Sequence, residues 1–381
     1  MKPVSWWLGS VAVSIVLIGI LIYQWAEMNE YYVKPTHLEN EQEADAYIKT
    51  NWEGRKDNKQ IPDHPLLKIK TGIFIQSLQF SDSTEVSLTG YIWQRYEDGV
   101  HDHIKPDASE IGFVLPEQVK SGNDIEPREV YRLHENGEEI IGWYFEATLR
   151  QPFDYSGYPF DHKTIWIRMW HKDFFRNIVL VPDFNAYEAT GMSDIFGIEN
   201  RIVLGTWKRK DTYFDYKPSS YDTNFGIPGY IGQTGFPELH YNVVVIRKFE
   251  NAFIIYLLPL FLVSALLFAE LLTVSSKNEV SEVLGFSTSG FIAACSALFF
   301  VVMLAHIQLR EQFAGTGIVY IEYFYILMYT VLVLASANTY LFSIQSNCLR
   351  GMVLYKDNII PKIAYWPVLL ICLVLITIVC R

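Results

Sequence analysis

Cysteine is scarce in this 381-residue chain, and the four present, Cys295, Cys348, Cys372 and Cys380, all lie in its last third. The stretch from Glu27 to Glu250 therefore has no disulfide and no thiolate chemistry, and no two of the four cysteines have metal-ligand spacing. Also missing are a nucleophile motif, a glycine-rich phosphate loop and a metal-spaced cluster of His, Cys, Asp and Glu. These absences remove hydrolase and transferase chemistry, so no enzyme, no cofactor and no metal site is expected. The nine histidines are scattered, and the densest group, His101-Asp102-His103, reads as a solvated loop. Between Glu27 and Glu250 there is no apolar run of the ~20 residues needed to cross a bilayer. That interval holds 36 of the 42 acidic and 24 of the 31 basic residues, so the whole chain's net charge of −11 originates there. A surface this acidic repels nucleic acid, which is excluded as a partner, and draws cations near.

What the chain has in quantity is apolar sequence gathered into long runs, near 5–26, 252–273, 284–308, 318–342 and 363–380. Each is long enough to cross a ~30 Å hydrocarbon core as a helix, which predicts a multi-pass protein in a lipid bilayer. The first run follows Lys2 as a signal peptide would. Its span from Trp6 to Trp25 exceeds the ~7–15 residues of a signal core, and Tyr23-Gln24-Trp25-Ala26 offers no convincing cleavage site, so it is read as a retained anchor. If the five spans alternate, Lys2, Lys277, Arg350, Lys356 and Lys362 share one side, which the preference of basic residues makes cytoplasmic. The amino terminus is then inside and residues 27–250 are outside.

Glu39-Asn40-Glu41-Gln42-Glu43-Ala44 is polar and helix-tolerant, so 27–70 is read as a linker with a short helix. From Ile73 onward come short runs of β-branched and aromatic residues, such as Tyr91-Ile92-Trp93 and Thr164-Ile165-Trp166-Ile167, separated by turn residues. This spacing predicts an extracytoplasmic β-sandwich over 71–250. Asn136-Gly137 marks a tight hairpin between Val130–Leu133 and Ile140–Phe145. Further strands are expected at 177–181, 201–207 and 239–247. The Tyr-, Gly- and Pro-rich 211–236 reads as a long loop, and loops of that length are often functional.

In the last part of the chain, 251–381, Pro259 interrupts the first of four helices. In the next, Glu282, Gly285, Ser289, Ile292, Ser296 and Phe299 recur at steps of three and four and form one helical stripe. Small and hydroxyl residues also serve plain helix packing. Repeated around a symmetry axis, the stripe would instead line a pore, with a carboxylate ring selecting cations and an Ile292 ring gating by dewetting.

Gly157-Tyr158-Pro159-Phe160-Asp161 resembles the aromatic-Pro-Phe-Asp segment of the Cys-loop receptor superfamily of pentameric ligand-gated ion channels. The order of hairpin, motif, strand, aromatic loop, Arg247-Lys248 and four membrane helices is similar to that family from about residue 70 to the end. Glu282 to Ile292 is similar to the family's pore helix. The resemblance implies that Tyr158, Pro159, Phe160, Asp161 and Arg247 couple the outer domain to the helices. It also implies that Trp170 faces a ligand, with Tyr213, Tyr216 and Tyr221 capping it. The plain alternatives are a static turn and a core tryptophan. Gln151 and Ile165 stand where eukaryotic members have the loop cysteines, a pattern of prokaryotic relatives that implies a bacterial inner membrane. The outer end of the pore helix, His306-Ile307-Gln308-Leu309-Arg310, lacks the family's proline, and the helix of residues 1–26 lies outside the common pattern.

The implied protein is a homopentameric cation channel subunit: an outer sandwich, a four-helix block and one added helix, opened by an unidentified small ligand or by protons. The alternative is a non-conducting membrane receptor or scaffold of the same fold that signals through a partner or through its added helix.

Overall fold

A computed structural model describes residues 3–29, 37–53, 66–97, 111–119, 126–191, 194–227, 235–277, 283–313, 316–345 and 350–380. The chain divides into a helical unit, made of Met1–Glu30, Asp154–Asp161 and Arg247–Arg381, and a strand unit, made of Tyr31–Phe153 and His162–Ile246.

The strand unit holds two sheets. Strands β1 (Leu67–Phe80), β2 (Glu85–Glu97), β4 (Gln118–Val119), β5 (Arg128–Glu135), β6 (Glu138–Arg150) and β8 (Ile178–Pro182) form the first, in the order β4-β6-β2-β1-β8 with β5 also on β6. Strands β3 (Phe113–Val114), β7 (His162–His171), β9 (Trp207–Ser219) and β10 (Phe236–Arg247) form the second, in the order β3-β7-β10-β9. The period-2 pattern decides which face is buried. In β2, Val86, Leu88, Ile92 and Tyr96 turn inward while their neighbours stay partly exposed. They pack in one core with Ile73 and Ile75 of the same sheet and with Ile165, Ile167, Phe214, Val243 and Val245 of the other. Each such side chain contributes about 1.5–3 kcal/mol on burial. The β5–β6 hairpin turns at Asn136 and Gly137, whose φ angles of 56° and 80° are those a two-residue turn requires.

Three readings of the sequence need correction. Residues 37–53 belong to the strand unit: helix α2 (Glu41–Ile48), capped by Asn40, and the wider turn after it bury Ala44, Ile48 and Trp52 in the sandwich core. Residues 201–206 form no strand, because β9 begins at Trp207. The long loop is also shorter than expected, since β9 continues to Ser219. Its run of Tyr213, Phe214 and Tyr216 is what a half-buried pleated surface favours.

In the helical unit, α1 (Pro3–Met28), α3 (Phe249–Thr273), α4 (Thr288–Gln312), α5 (Glu322–Ser343) and α6 (Ile359–Val379) are the described helices long and apolar enough to cross a membrane. Two prolines shape them. Pro259 cannot donate to the carbonyl four residues back, and the turn just before it, Phe253–Leu257, widens to a π-helix. Pro367 sits inside α6, so the Ile363 carbonyl loses its partner there and accepts the Ser10 hydroxyl of α1 instead, at 2.7 Å. Helix α6 also reaches α3, where the Tyr365 hydroxyl donates to the Ser264 carbonyl at 2.9 Å. Helices α4 and α5 join through His306 and the Tyr329 hydroxyl at 3.1 Å.

Candidate functional site

The motif segment Asp154–Asp161 follows β6, precedes β7 and packs within the helical unit. Its own turns fix its shape: Tyr158 N donates to the Tyr155 carbonyl at 2.9 Å and Phe160 N to the Gly157 carbonyl at 2.8 Å. The Tyr158–Pro159 peptide is cis. Asp161 and Arg247 meet in a two-pronged pair, with Nε to Oδ1 at 2.6 Å and NH2 to Oδ2 at 2.9 Å. They are 6% and 8% exposed, so the pair is shielded from water and from salt. The guanidinium lies 4.7 Å from the Tyr158 ring centre, a cation–π contact. Tyr158 is held against Phe313, just past α4, at 4.6 Å and against Tyr256 of α3 at 6.0 Å. Burial pushes its phenol well above the ordinary range, so it stays neutral. Phe160 stacks on Phe249 at 5.0 Å and 18°. All five motif-derived residues thus fall in one cluster, where Pro159 shapes the turn and the other four make the contacts.

No disulfide closes the loop, as Gln151 and Ile165 dictate, yet the loop is closed. The Gln151 side-chain amide donates to the Trp166 carbonyl and its oxygen accepts from Trp166 N, at 3.3 Å for the second bond. Gln151 is 1% exposed, so both bonds are made away from water, where an unpaired amide costs about 1–3 kcal/mol.

Helix α4 has two unlike faces. Phe291, Cys295, Val302 and Leu309 pack inward, whereas Ser289, Ile292, Ser296 and Phe299 are exposed. Those four share a face as the 3.6-residue period requires, and the Ser296 hydroxyl turns back to the Ile292 carbonyl at 2.9 Å. The stripe is shorter than the sequence suggests. Ser287 caps the helix by accepting from Gly290 N, and Gly285 precedes that cap in a turn at φ 66°. Gly285 is therefore outside the helical stripe, and Glu282 lies outside the described residues. At the other end Arg310 clamps the α4–α5 turn, donating to the Thr316 and Gly317 carbonyls at 2.8 and 2.9 Å.

In the strand unit Trp170, at the end of β7, joins Tyr221, Phe174 and Phe225, with ring centres 5.7, 5.2 and 6.4 Å from its own. The chain's own cation already occupies this box: the Arg168 guanidinium sits 5.4 Å from the Trp170 ring centre. Arg168 is held there by Glu117 at 2.7 Å and by the buried Glu238 at 3.0 Å. Glu238 in turn accepts from Tyr221 at 2.7 Å and from Ser219 at 2.5 Å. Burial lowers the Arg168 pKa, and the two carboxylates outweigh this and raise it. Trp170 Nε1, Arg168 Nε and Glu117 Oε2 are buried with no hydrogen-bond partner among the described residues. A cavity lined by Trp170, Phe174 and Glu238 is about 20 Å³, room for a single water.

Tyr213 and Tyr216 do not join Trp170: both are buried on β9 but on opposite faces, with Tyr216 in the sandwich core beside Phe214. Tyr213 stacks on His37 at 3.7 Å, and Tyr216 stacks on Tyr47 and donates to the Leu180 carbonyl at 2.9 Å. His37 also faces Asp211 at 3.7 Å, with side chains 4% and 6% exposed. Burial lowers the His37 pKa and pushes the Asp211 carboxyl up to about 6, against the opposing pull of Thr212 N and Lys210.

The sequence reading missed Arg168, Glu238 and Glu117 at the aromatic box. It also missed Trp25, Tyr256, Phe313 and Tyr320 at the motif segment. Phe225 belongs to the aromatic stretch 211–236 that the sequence singles out, and Phe174 could have been found, since it lies four residues from Trp170. No protein-family model matches the chain, and no curated protein matches it.

Proposed function

We propose that the chain is a subunit of a homopentameric ligand-gated cation channel of the Cys-loop receptor kind, set in a bacterial inner membrane with its amino terminus cytoplasmic and its strand unit outside. The observation that carries this reading is the buried Asp161–Arg247 pair. Strands β7 and β10 pair with His162 opposite Ile246, and Asp161 and Arg247 occupy the next position of that register. Arg247 is also two residues before α3, so sliding of β7 against β10 must either break the charge pair or carry the start of α3 with it. Coupling needs an element with two arrangements, and making or breaking this pair would supply them.

The pore reading rests on the face of α4 that the chain leaves uncovered. Ser289, Ile292, Ser296 and Phe299 would meet their counterparts around the axis, and Glu282, outside the described residues, is the carboxylate proposed to select cations. A ligand acts by binding one state better than the other. At Trp170 it must first displace Arg168, and the unpartnered Trp170 Nε1 offers a donor to whatever enters. Arg168→Met is therefore expected to bare the ring face and to raise affinity for a tetramethylammonium probe by about tenfold, as an added cation–π contact would. Calorimetric titration of the purified protein checks this, and unchanged affinity contradicts it.

The non-conducting alternative draws on the added helix, which is bonded into the bundle. Cation flux from proteoliposomes separates the two readings. A channel gives flux that is cation-selective and loses that preference in Glu282→Ala. Absence of flux at every pH tested, together with an assembly that is not fivefold, overturns the channel reading.

A further inference from the structure

Helix α1 is surplus to a four-helix block, and an anchor alone needs only an apolar surface. Yet specific polar contacts near each end tie α1 to other described residues of the helical unit. Near its start Ser10 satisfies the Ile363 carbonyl that Pro367 leaves without a donor. Near its end Trp25 Nε1 donates to the Tyr320 hydroxyl at 2.8 Å. The first contact falls near the start of α6 and the second beside Thr377 near its end, so α1 and α6 run parallel.

Tyr320 is a node. Its hydroxyl accepts from Trp25 and is 2.7 Å from Thr377 Oγ1, while Thr377 donates to the Leu373 carbonyl at 2.8 Å. Proton bookkeeping then makes Tyr320 the donor to Thr377. The backbone N of Tyr320 donates to the Ser156 carbonyl at 2.7 Å, inside the motif segment. The Trp25 ring touches the same segment directly, 5.7 Å from Phe160, and lies 5.7 Å from Phe249 and 6.4 Å from Phe324. Tyr320 is 1% exposed. In an apolar surrounding such a hydrogen-bond chain holds its geometry, because neither partner finds water in exchange.

We propose that α1 is a strut for the coupling segment: Trp25 is a positioning residue that, through Tyr320 and Phe160, sets the resting place of Asp154–Asp161. The strut stands on these contacts alone; its effect on gating rests on the channel reading.

Hydrogen exchange on the full-length protein in lipid nanodiscs tests it. Trp25→Ala is expected to speed exchange of the Tyr158, Phe160 and Tyr320 amides by about tenfold, with β2 amides unchanged. Trp25→Phe keeps the ring and loses the donor, so it should restore part of the protection. Leu8→Ala, on the exposed face of α1, should change nothing. If Trp25→Ala does not fold, Trp25→Phe and Tyr320→Phe carry the test: each removes one end of the same bond, and Tyr320→Phe also loses the bond to Thr377, so the double variant should exchange no faster than Tyr320→Phe alone. Unchanged exchange in these variants overturns the strut. In proteoliposomes, Trp25→Phe should shift cation flux without added ligand several-fold while leaving single-channel conductance intact, a change that a purely structural anchor would not produce. Faster exchange with unaltered flux overturns the gating role. Faster exchange in a protein whose wild type carries no flux keeps the strut and overturns the channel.

Discussion

Arg247→Ala is expected to destabilise the protein by about 3–5 kcal/mol, because it leaves the Asp161 carboxylate buried with no opposite charge. Asp161 is 6% exposed and both of its oxygens are engaged by the guanidinium, so water cannot take over without opening the cluster. Tyr158 would lose its cation–π partner in the same step. Arg247→Lys should recover only part, since an ammonium carries the charge without the planar fork that meets two oxygens. The informative variant is the pair Asp161→Asn with Arg247→Met. Removing both charges avoids a stranded carboxylate, so the double variant should melt above Arg247→Ala in detergent, near the wild type. If the pair couples strands to helices, that same double variant should fold yet lose ligand-dependent flux. A double variant as unstable as the single one would show that the charges are not what holds the cluster.

Asp211→Asn is expected to stabilise the protein by about 2 kcal/mol at pH 8 and to leave it unchanged near pH 4. Burial raises the Asp211 pKa from 3.8 to about 6 in the folded chain. The folded state therefore binds this proton more tightly than the unfolded state does. Its contribution to stability is whole below pH 3.8 and is lost as pH rises through about 6, where a buried carboxylate must ionise. The asparagine never ionises, so the difference between the two proteins grows over that window. His37, whose pKa burial lowers, works in the opposite sense, losing stability as pH falls, but it is present in both proteins and cancels to first order. Thermal melts at pH 4, 6 and 8 check the sign. A variant less stable than wild type at pH 8 would mean that Asp211 is a stabilising anion and that His37 is charged beside it.

The helices were legible because the bilayer imposes a length: a run that must span ~30 Å cannot hide among shorter elements. Their ends were less legible. The run read as beginning at residue 284 starts at Thr288 because Ser287 competes for Gly290 N as a cap and Gly285 takes a positive φ. The hairpin at Asn136-Gly137 could be read from two residues, since few others accept both turn conformations. Strand β9 was hidden by composition. Tyr213 and Tyr216 look like loop aromatics beside Gly and Pro, yet both are buried on β9, where alternation carries Phe214 and Tyr216 into the sandwich core. The contents of the aromatic box were out of reach, because nothing local says that Arg168 lies over Trp170 or that Glu238 lies beneath it. The same holds for Trp25 and Tyr320, 295 positions apart in sequence and joined by one hydrogen bond. Asp161 and Arg247 were singled out separately, through a resemblance, and only the fold shows that they touch.

The most direct measurement of the central claim is the symmetry of the detergent-purified, full-length protein in projection images. A pentameric channel gives fivefold top views with density depleted on the axis, where the exposed α4 face of each copy would converge. Monomers, or rings of any other order, would contradict it.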